Sequence, residues 1–477
     1  MRETKEILLA AMIAISAPVV AQENIAPHLE QLPQRMQYNP AMTADNMKYF
    51  TVPIVSGGFN VSAENTAFRY EDMFTRGHDD TLRLDFGRLH DRMRKTNYAS
   101  VSANIPIFEF GRRTHSCLGY MSFALSNKTM IETKYDRNFT LLWRGNWDYD
   151  KDEPINHRIS NIFVRGMNYM ELSGGYSHRI PSIGLRMGVR VKLLAGIVSV
   201  LSDDLTIDFQ TRRESDRYSV VMRSSGSIKT SLPMDVEIGE DGYVSKVSLD
   251  ADEWKLEPMK NRGVAFDLGG TMDISEKLKV GLAFVDFGFI NWNDGCHRFE
   301  AGTSCTFRGI DISADMKTGM TEDGIDGAIY WKTMKDSLMR FRDVSHTTHK
   351  YKTRLSSRMI ATADLFLMDW LQVGGTVATK FVGGQAFTRG GATAVVHGGS
   401  WLSFAATAAI NPGWKVSPGA GLVLTGGPVQ GYVIVDRFPR RLSEAQGASL
   451  TFGINFVLGR KKYSLIEDAH KMDVRWN

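Results

Sequence analysis

Between Ser182 and Leu193 the chain alternates almost without a break. Ile183, Leu185, Met187, Val189, Val191 and Leu193 fall on one face, and Gly184, Arg186, Gly188, Arg190 and Lys192 on the other. A period of two is that of a strand. An apolar face opposed by three cations suits a wall with lipid on one side and water on the other, as in a transmembrane β-barrel. The pattern recurs in runs beginning near Tyr98, Val264, Leu278, Leu371, Leu402 and Leu450. These runs approach the 9–11 residues a tilted membrane strand needs. A large soluble sandwich also alternates, but rarely places so many Gly, Thr and Asn on one face.

The rest of the chain sets bounds. Arg2 and Lys5 precede an uncharged apolar run from Ile7 to Val20, and Val19-Val20-Ala21 offers cleavage before Gln22. This reads as a signal peptide over 1–21. No Cys follows the site, which argues against a lipoprotein, and the run is short for a spanning helix, which takes about 20 residues. No later segment is apolar for long enough to be such a helix, and a mean hydropathy of −0.22 leaves a barrel open. The 57 basic and 53 acidic residues are too balanced to imply nucleic acid. Cys296 and Cys305 bracket a Gly-containing segment and could close a loop in an oxidising compartment; Cys117 reads as a packing residue.

Connection lengths give direction. Tight turns are expected near Arg179–Ser182, Ser275–Lys277, Met368–Trp370 and Pro412–Lys415, and long charged stretches over Leu201–Lys260 and Asn291–Ser357. Barrels of this type have short periplasmic turns and longer outer loops. Trp370 and Trp414 would then belong to a periplasmic aromatic girdle. Two segments have helical spacing: Asp80–Lys95, with Asp79 or Asp80 as N-cap, and Ile325–Arg342. The even-numbered apolar face that starts at Leu278 breaks at Asp286. A carboxylate facing mid-bilayer costs free energy, so a bulge or a position beyond the hydrocarbon is expected there, followed by a turn-out toward the outer rim over Val285–Trp292.

Several segments carry a family resemblance. They are Asn39-Pro40-Ala41, Phe68 with Tyr70, Leu82–Phe86, Val285–Trp292 and the close Phe452–Lys462. The ordered set resembles an uncharacterised Bacteroidota-type outer-membrane barrel family, related to long-chain fatty-acid transporters and to barrels of type IX secretion. The resemblance implies that Asn39, Pro40 and Ala41 belong to a hatch folded into the lumen. Pro fixes φ and Asn bonds its own backbone, so the pair also suits an ordinary turn.

No catalytic set is present: neither Gly-x-Ser-x-Gly nor His-Glu-x-x-His occurs, no Gly pair leads into a phosphate loop, and Asp343, His346 and His349 read as solvated loop residues. Arg186, Arg190 and Lys192 would line the lumen. They either attract anionic solutes or are neutralised by facing acids such as Asp267. The sequence therefore predicts an all-β transmembrane antiparallel barrel of about 14 strands with one or two short helical inserts, in the bacterial outer membrane. Residues 1–21 form the signal peptide, 22–50 a lumen or hatch segment, 51–459 the barrel and 460–477 a tail. No enzymatic activity, cofactor or metal is expected, and the surrounding partner is outer-membrane lipid. The expected function is passage of a hydrophobic or amphipathic solute; the alternative is a scaffold or anchor for a secretion or surface-assembly protein. Val189→Arg should cost about 2–4 kcal/mol by turning a charge toward lipid. Arg190→Leu should be tolerated better, with folding yield into bilayers as the measurement.

Overall fold

The computed structural model describes residues 24–460, apart from 52–57, 68–73, 77–81, 141–146, 149–152, 155–156, 215–216, 241, 250–259, 303, 308–319, 322–323, 326–343, 412–414 and 437–446. The expected signal peptide, Trp414 and the tail beyond Arg460 lie outside the described residues. So does nearly all of the helix expected at 325–342; Ile325 itself pairs with Met320 in a two-residue strand.

Twenty strand segments form one sheet that closes on itself. Collinear segments join into wall strands. β1 comprises Asn46–Phe50 and Phe59–Asn65. β2 is Thr96–Arg113, β3 Gly119–Asp136, β4 His157–Ile180 and β5 Leu185–Glu214. β6 comprises Arg217–Ser231 and Arg262–Asp273; β7 comprises Leu278–Trp292, Cys296–Ala301 and Ser304–Phe307. β8 comprises Val344–Thr347, Tyr351–Arg354 and Arg358–Met368. Then follow β9 (Leu371–Val382), β10 (Gln385–Gly398), β11 (Leu402–Asn411), β12 (Lys415–Gly426), β13 (Val429–Val435) and β14 (Gly447–Arg460). Each pairs antiparallel with the next, and β14 returns to pair with β1, Lys48 opposite Leu458 and Val61 opposite Leu450. Joined this way the segments give fourteen labels; counted more finely the closed antiparallel barrel has sixteen strands, slightly more than the expected fourteen. The barrel wall begins at Asn46, so the domain boundary expected at 50/51 falls inside β1.

The alternation becomes an inside and an outside. On β5, Met187 (57 % exposed) and Leu193 (58 %) point outward, while Arg190 and Lys192 are buried inward. Leu172, Leu268, Leu282, Val377 and Phe452 repeat the outward apolar contact on other strands. The turns at 181–184, 275–277, 369–370, 399–401 and 427–428 share one end. Backbone bonds from Asp273 N–H to Gly184 O, Phe366 N–H to Lys277 O, His397 N–H to Trp370 O and Thr425 N–H to Trp401 O tie neighbouring turns together. Trp370 and Trp401 stand exposed at this turn end. Long connections gather at the other, loop end. The expected turn at Pro412–Lys415 belongs there too: Asn411 pairs with Lys415 at the end of β11 farthest from Trp401. Counting strands through the chain from Trp370 would have shown this, since each strand reverses direction.

At Asp286 the register shifts: between the pairs Leu268–Phe284 and Phe266–Phe287, Val285 and Asp286 face the single residue Asp267. Asp286 takes φ +61°, a left-handed conformation that Asp tolerates better than most residues. Phe284 and Phe287 thereby both face outward, and the carboxylate turns in. The expected turn-out does not follow. β7 runs on to Trp292, which is buried and donates from Nε1 to Thr353 Oγ1 at 2.8 Å.

The first helix is shorter and later than its spacing suggests. α1 spans Phe86–Arg92 and is capped by Asp85, whose side chain accepts from Arg88 N–H at 2.9 Å; Leu82–Leu84 is a strand. The candidate disulfide is also overturned. Cys296 is a free, buried thiol opposite Ser231, and Cys305 lies opposite Met222 on the same neighbouring strand. Nine positions at about 3.3 Å each separate them, far beyond the reach of a disulfide. Mass spectrometry under non-reducing conditions should find no bond between these two cysteines.

Candidate functional site: a lumen filled by the N-terminal segment

Residues 24–45 enter the lumen before the wall begins. Two short 3-10 turns, Ala26–His28 and Pro33–Gln37, each carry a proline within their first two positions, where its fixed φ suits the first turn and its missing N–H leaves no orphan donor. Ile25, Leu29 and Leu32 are fully buried, each worth about 1.5–3 kcal/mol on the scale of apolar transfer.

The plug meets two unlike surfaces. Seven consecutive strands, β7 to β13, contribute Val285, Ile360, Ala378, Val395, Val423, Tyr432 and Ile434, with Ala283 and Ala405, to one apolar cluster around Ile25, Leu29, Leu32 and Tyr38. Elsewhere the contact is polar. There Gln34 Nε2 donates to Glu109 Oε2 at 2.8 Å and to Asn455 Oδ1 at 2.9 Å, and Gln37 Nε2 to Glu109 Oε1 at 2.8 Å. Two neighbouring voids follow this polar seam. One of about 150 Å³ is lined by Tyr38, Asn60, Ser102, Asn104, Lys128 and Arg358, among others. One of about 50 Å³ reaches toward the turn end past Tyr49, Glu109, Ser122 and Arg190. Gln37, Asn104, Lys128 and Arg358 line both.

The plug's attachments share a property. Ile25 N–H donates to Asp436 Oδ1 at 2.9 Å. The carbonyls of Asn24, His28 and Gln31 accept from Thr393, Gln372 and Gln430 side chains. His28 lies between Asp364 Oδ1 (2.5 Å from Nδ1) and Thr376 Oγ1 (2.8 Å from Nε2). Glu30 receives Lys279 Nζ at 2.6 Å. Among the described residues no backbone-to-backbone hydrogen bond joins 24–45 to the wall.

The expected hatch residues sit inside the plug. Asn39 Oδ1 accepts from Ala41 N–H at 2.9 Å, the self-bonded turn that Asn-Pro favours. Its Nδ2 donates to Gly270 O at 3.1 Å on β6. Backbone comes very close here: a Cβ on Gly269 would lie 2.1 Å from Asn39 Oδ1, and one on Gly188 2.5 Å from Pro40. Gly188, set between two cations on the opening strand, is thus a seat for the plug.

The basic row divides. Lys192 bonds Asp267 Oδ1 at 2.7 Å and Asp286 Oδ1 at 2.6 Å; Arg358 bonds Asp286 Oδ2 at 2.8 Å. Arg190 stands 4.0 Å from Asp267 Oδ2. Arg186 lies nearer the turn end and donates weakly to Leu118 O and Ser177 Oγ. A second cluster, not anticipated from sequence, places Arg165, Lys380 and Ser356 on the Glu132 carboxylate. Its members come from four strands with no shared motif. His346 is remote from the lumen, on the outer extension, with its Nε2 3.0 Å from His297 Nδ1; burial and the adjoining His346 ring hold His297 below the usual imidazole range. His349 is exposed, and Asp343 lies outside the described residues.

Lys192→Met would leave Asp267 and Asp286 without their shared cation. A loss of about 3–5 kcal/mol is expected, read as a lower urea midpoint in bilayer-refolding titrations; adding Asp267→Asn should recover part of it.

Residues 40–436 match the model of a family described as "Family of unknown function (DUF5723)", and the chain belongs to that family. No curated protein matches the sequence. Among solved structures, the Ralstonia pickettii toluene transporter TbuX aligns at TM-score 0.41 and 8% identity, over 90% of this chain and 94% of that one. A Pseudomonas aeruginosa FadL homologue aligns at 0.35 and 9%, over 92% and 98%. The P. putida toluene transporter TodX aligns at 0.37 and 8%, over 89% and 92%.

Proposed function

We propose that this member of the family of unknown function is an outer-membrane barrel that passes an amphipathic solute through a lumen gated by residues 24–45. The outward apolar belt, short turns at one end and long loops at the other support the membrane setting. The observation that carries the transport reading is the two-sided lumen. With the plug in place, its apolar residues cover Val285, Ile360, Val395, Val423 and Ile434. With the plug displaced, that stripe borders the polar seam in an open channel. Such a passage has one surface for a hydrocarbon portion and one for a polar portion. Displacement needs no strand to unzip, because side chains make the plug's bonds to the wall. Asn39-Pro40-Ala41, seated on Gly188 and Gly269, serve as the hinge side of the hatch.

The second reading, a scaffold for surface assembly, is favoured by the raised outer sheet in which the upper parts of β5, β6, β7 and β8 pair beyond Trp292.

Deleting 24–38 should raise single-channel conductance in planar bilayers several-fold over the full chain. Proteoliposomes with the full chain should take up a short alkyl amphiphile faster than empty ones. Absence of both effects in a correctly folded barrel would overturn the transport reading.

A further inference from the structure

Outside the lumen, the raised outer sheet brings two histidines edge to edge. His297 lies on β7 and His346 on β8, 49 residues apart in sequence, and His297 Nδ1 stands 3.0 Å from His346 Nε2. The register explains the meeting. Phe299 is directly opposite His346, and His297 is two residues before Phe299 on the same face. The two histidines are thus diagonal neighbours, within reach of each other's rings. Cys296, the residue before His297, is buried in the cluster of Trp292, so the histidines occupy the opposite face of the sheet. Phe299 packs on His346 with ring centroids 5.2 Å apart and flanks His297 at 6.4 Å. Both histidines are half-buried. Strand pairing and an aromatic neighbour therefore hold the two rings in place.

Imidazole nitrogens are metal donors as well as hydrogen-bonding groups. With one proton between them, Nδ1 of His297 and Nε2 of His346 make an N–H···N bond. With that proton moved to the far nitrogen of its ring, both turn lone pairs toward the same small space. Among the described residues no hydrogen bond occupies His297 Nε2 or His346 Nδ1, so this tautomer is open to both rings. Distance narrows the metal. Two nitrogens 3.0 Å apart, each bonded at about 2.0–2.1 Å, subtend about 95° at the ion. A tetrahedral ion would hold them about 3.3 Å apart and a tetragonal one about 2.9 Å. The rings meet nearly end on, with centroids 5.2 Å apart. A turn of each about χ2, a broad torsion, aims both lone pairs at one ion. Asp235, exposed on the strand Met234–Ile238, brings its negative charge to bear on His297. Among the described residues no third His, Cys, Asp or Glu completes a cluster. Water or a small ligand would fill the remaining positions, and the ion would exchange readily.

We infer that His297 and His346 form a two-point site on the outer extension for a divalent transition-metal ion that favours tetragonal nitrogen coordination, copper(II) or nickel(II). Copper(II) stands at the top of the affinity order for such donors. The site lies outside the lumen and is independent of the transport reading.

The test uses the full chain, without an affinity tag, in lipid nanodiscs near neutral pH in a non-coordinating buffer. Copper(II) titrated by calorimetry should bind at least tenfold more tightly than zinc(II). With copper(II) at one equivalent, the electron paramagnetic resonance spectrum should be axial, with superhyperfine splitting from two nitrogens. His297→Ala and His346→Ala should each weaken copper(II) binding at least tenfold, and His349→Ala, which removes an exposed histidine nearby in the chain, should leave it unchanged. Heat-modifiable mobility on gels verifies that each variant is folded. Copper(II) binding undiminished when both His297 and His346 are replaced by alanine, a spectrum of a single nitrogen or of thiolate ligation, or zinc(II) held as tightly as copper(II) would each overturn the inference.

Discussion

Closure of the sheet governs everything else in the molecule. A wall that faces hydrocarbon cannot leave backbone N–H and C=O groups unpaired, because no solvent is there to take them. The ring is therefore completed by pairing the last strand, β14, with the first, β1. Once closed, the wall has an interior that must be filled or hydrated. The sequence fills it from both sides, with inward charges that neutralise one another and with a separate stretch of chain. The inward positions of β5 show both devices on one strand: Lys192 meets Asp267 and Asp286, and Gly188 yields space to Pro40.

What was legible in the chain was what depends on period and on cost. The facing of β5 follows from alternation alone, and the irregularity at Asp286 follows from the expense of a lipid-facing carboxylate. The lumen position of Asn39-Pro40-Ala41 was suggested by resemblance. Other features depend on which strands become neighbours, and a single sequence does not display that. Arg165, Glu132, Ser356 and Lys380 converge from β3, β4, β8 and β9, whose separations in sequence carry no common signal. The cysteine bridge looked plausible because nine residues form a short loop when coiled. In a strand the same nine residues form a rod. Helix α1 was displaced because Leu82 and Leu84 satisfy both a strand and a helix over so short a span, and Asp85, rather than Asp79 or Asp80, has the spacing to cap.

The asymmetry of the interior is the least expected result. Inward apolar residues on β7 to β13 are mostly Ala and Val, small enough to leave room for the plug's Ile and Leu. Around and between these positions, serines and threonines intersperse with ion pairs. In sequence, both kinds of strand read as alternating, since the outward face is apolar in each; the difference lies wholly in the inward residues. A pattern of Ala and Val on the inner face marks where another apolar segment packs, and a pattern of Ser, Asn and charge marks where water or solute has access.

The plug's bonds also constrain the order of events during folding. Ile25 finds its partner Asp436 across 411 residues, and Gln34 finds Asn455 across 421. Neither partner exists until nearly all of the chain has been made, and β1 has no β14 to pair with before then. β1 can pair with β2 early, but its other edge and the segment before it must wait for their partners while the middle strands assemble. Contacts of such long sequence separation are slow to form, since loop-closure entropy is met before the contact returns anything. In this architecture residues 24–45 precede the wall in sequence but are among the last to find their place, and the interval between is when they most need protection from other partners.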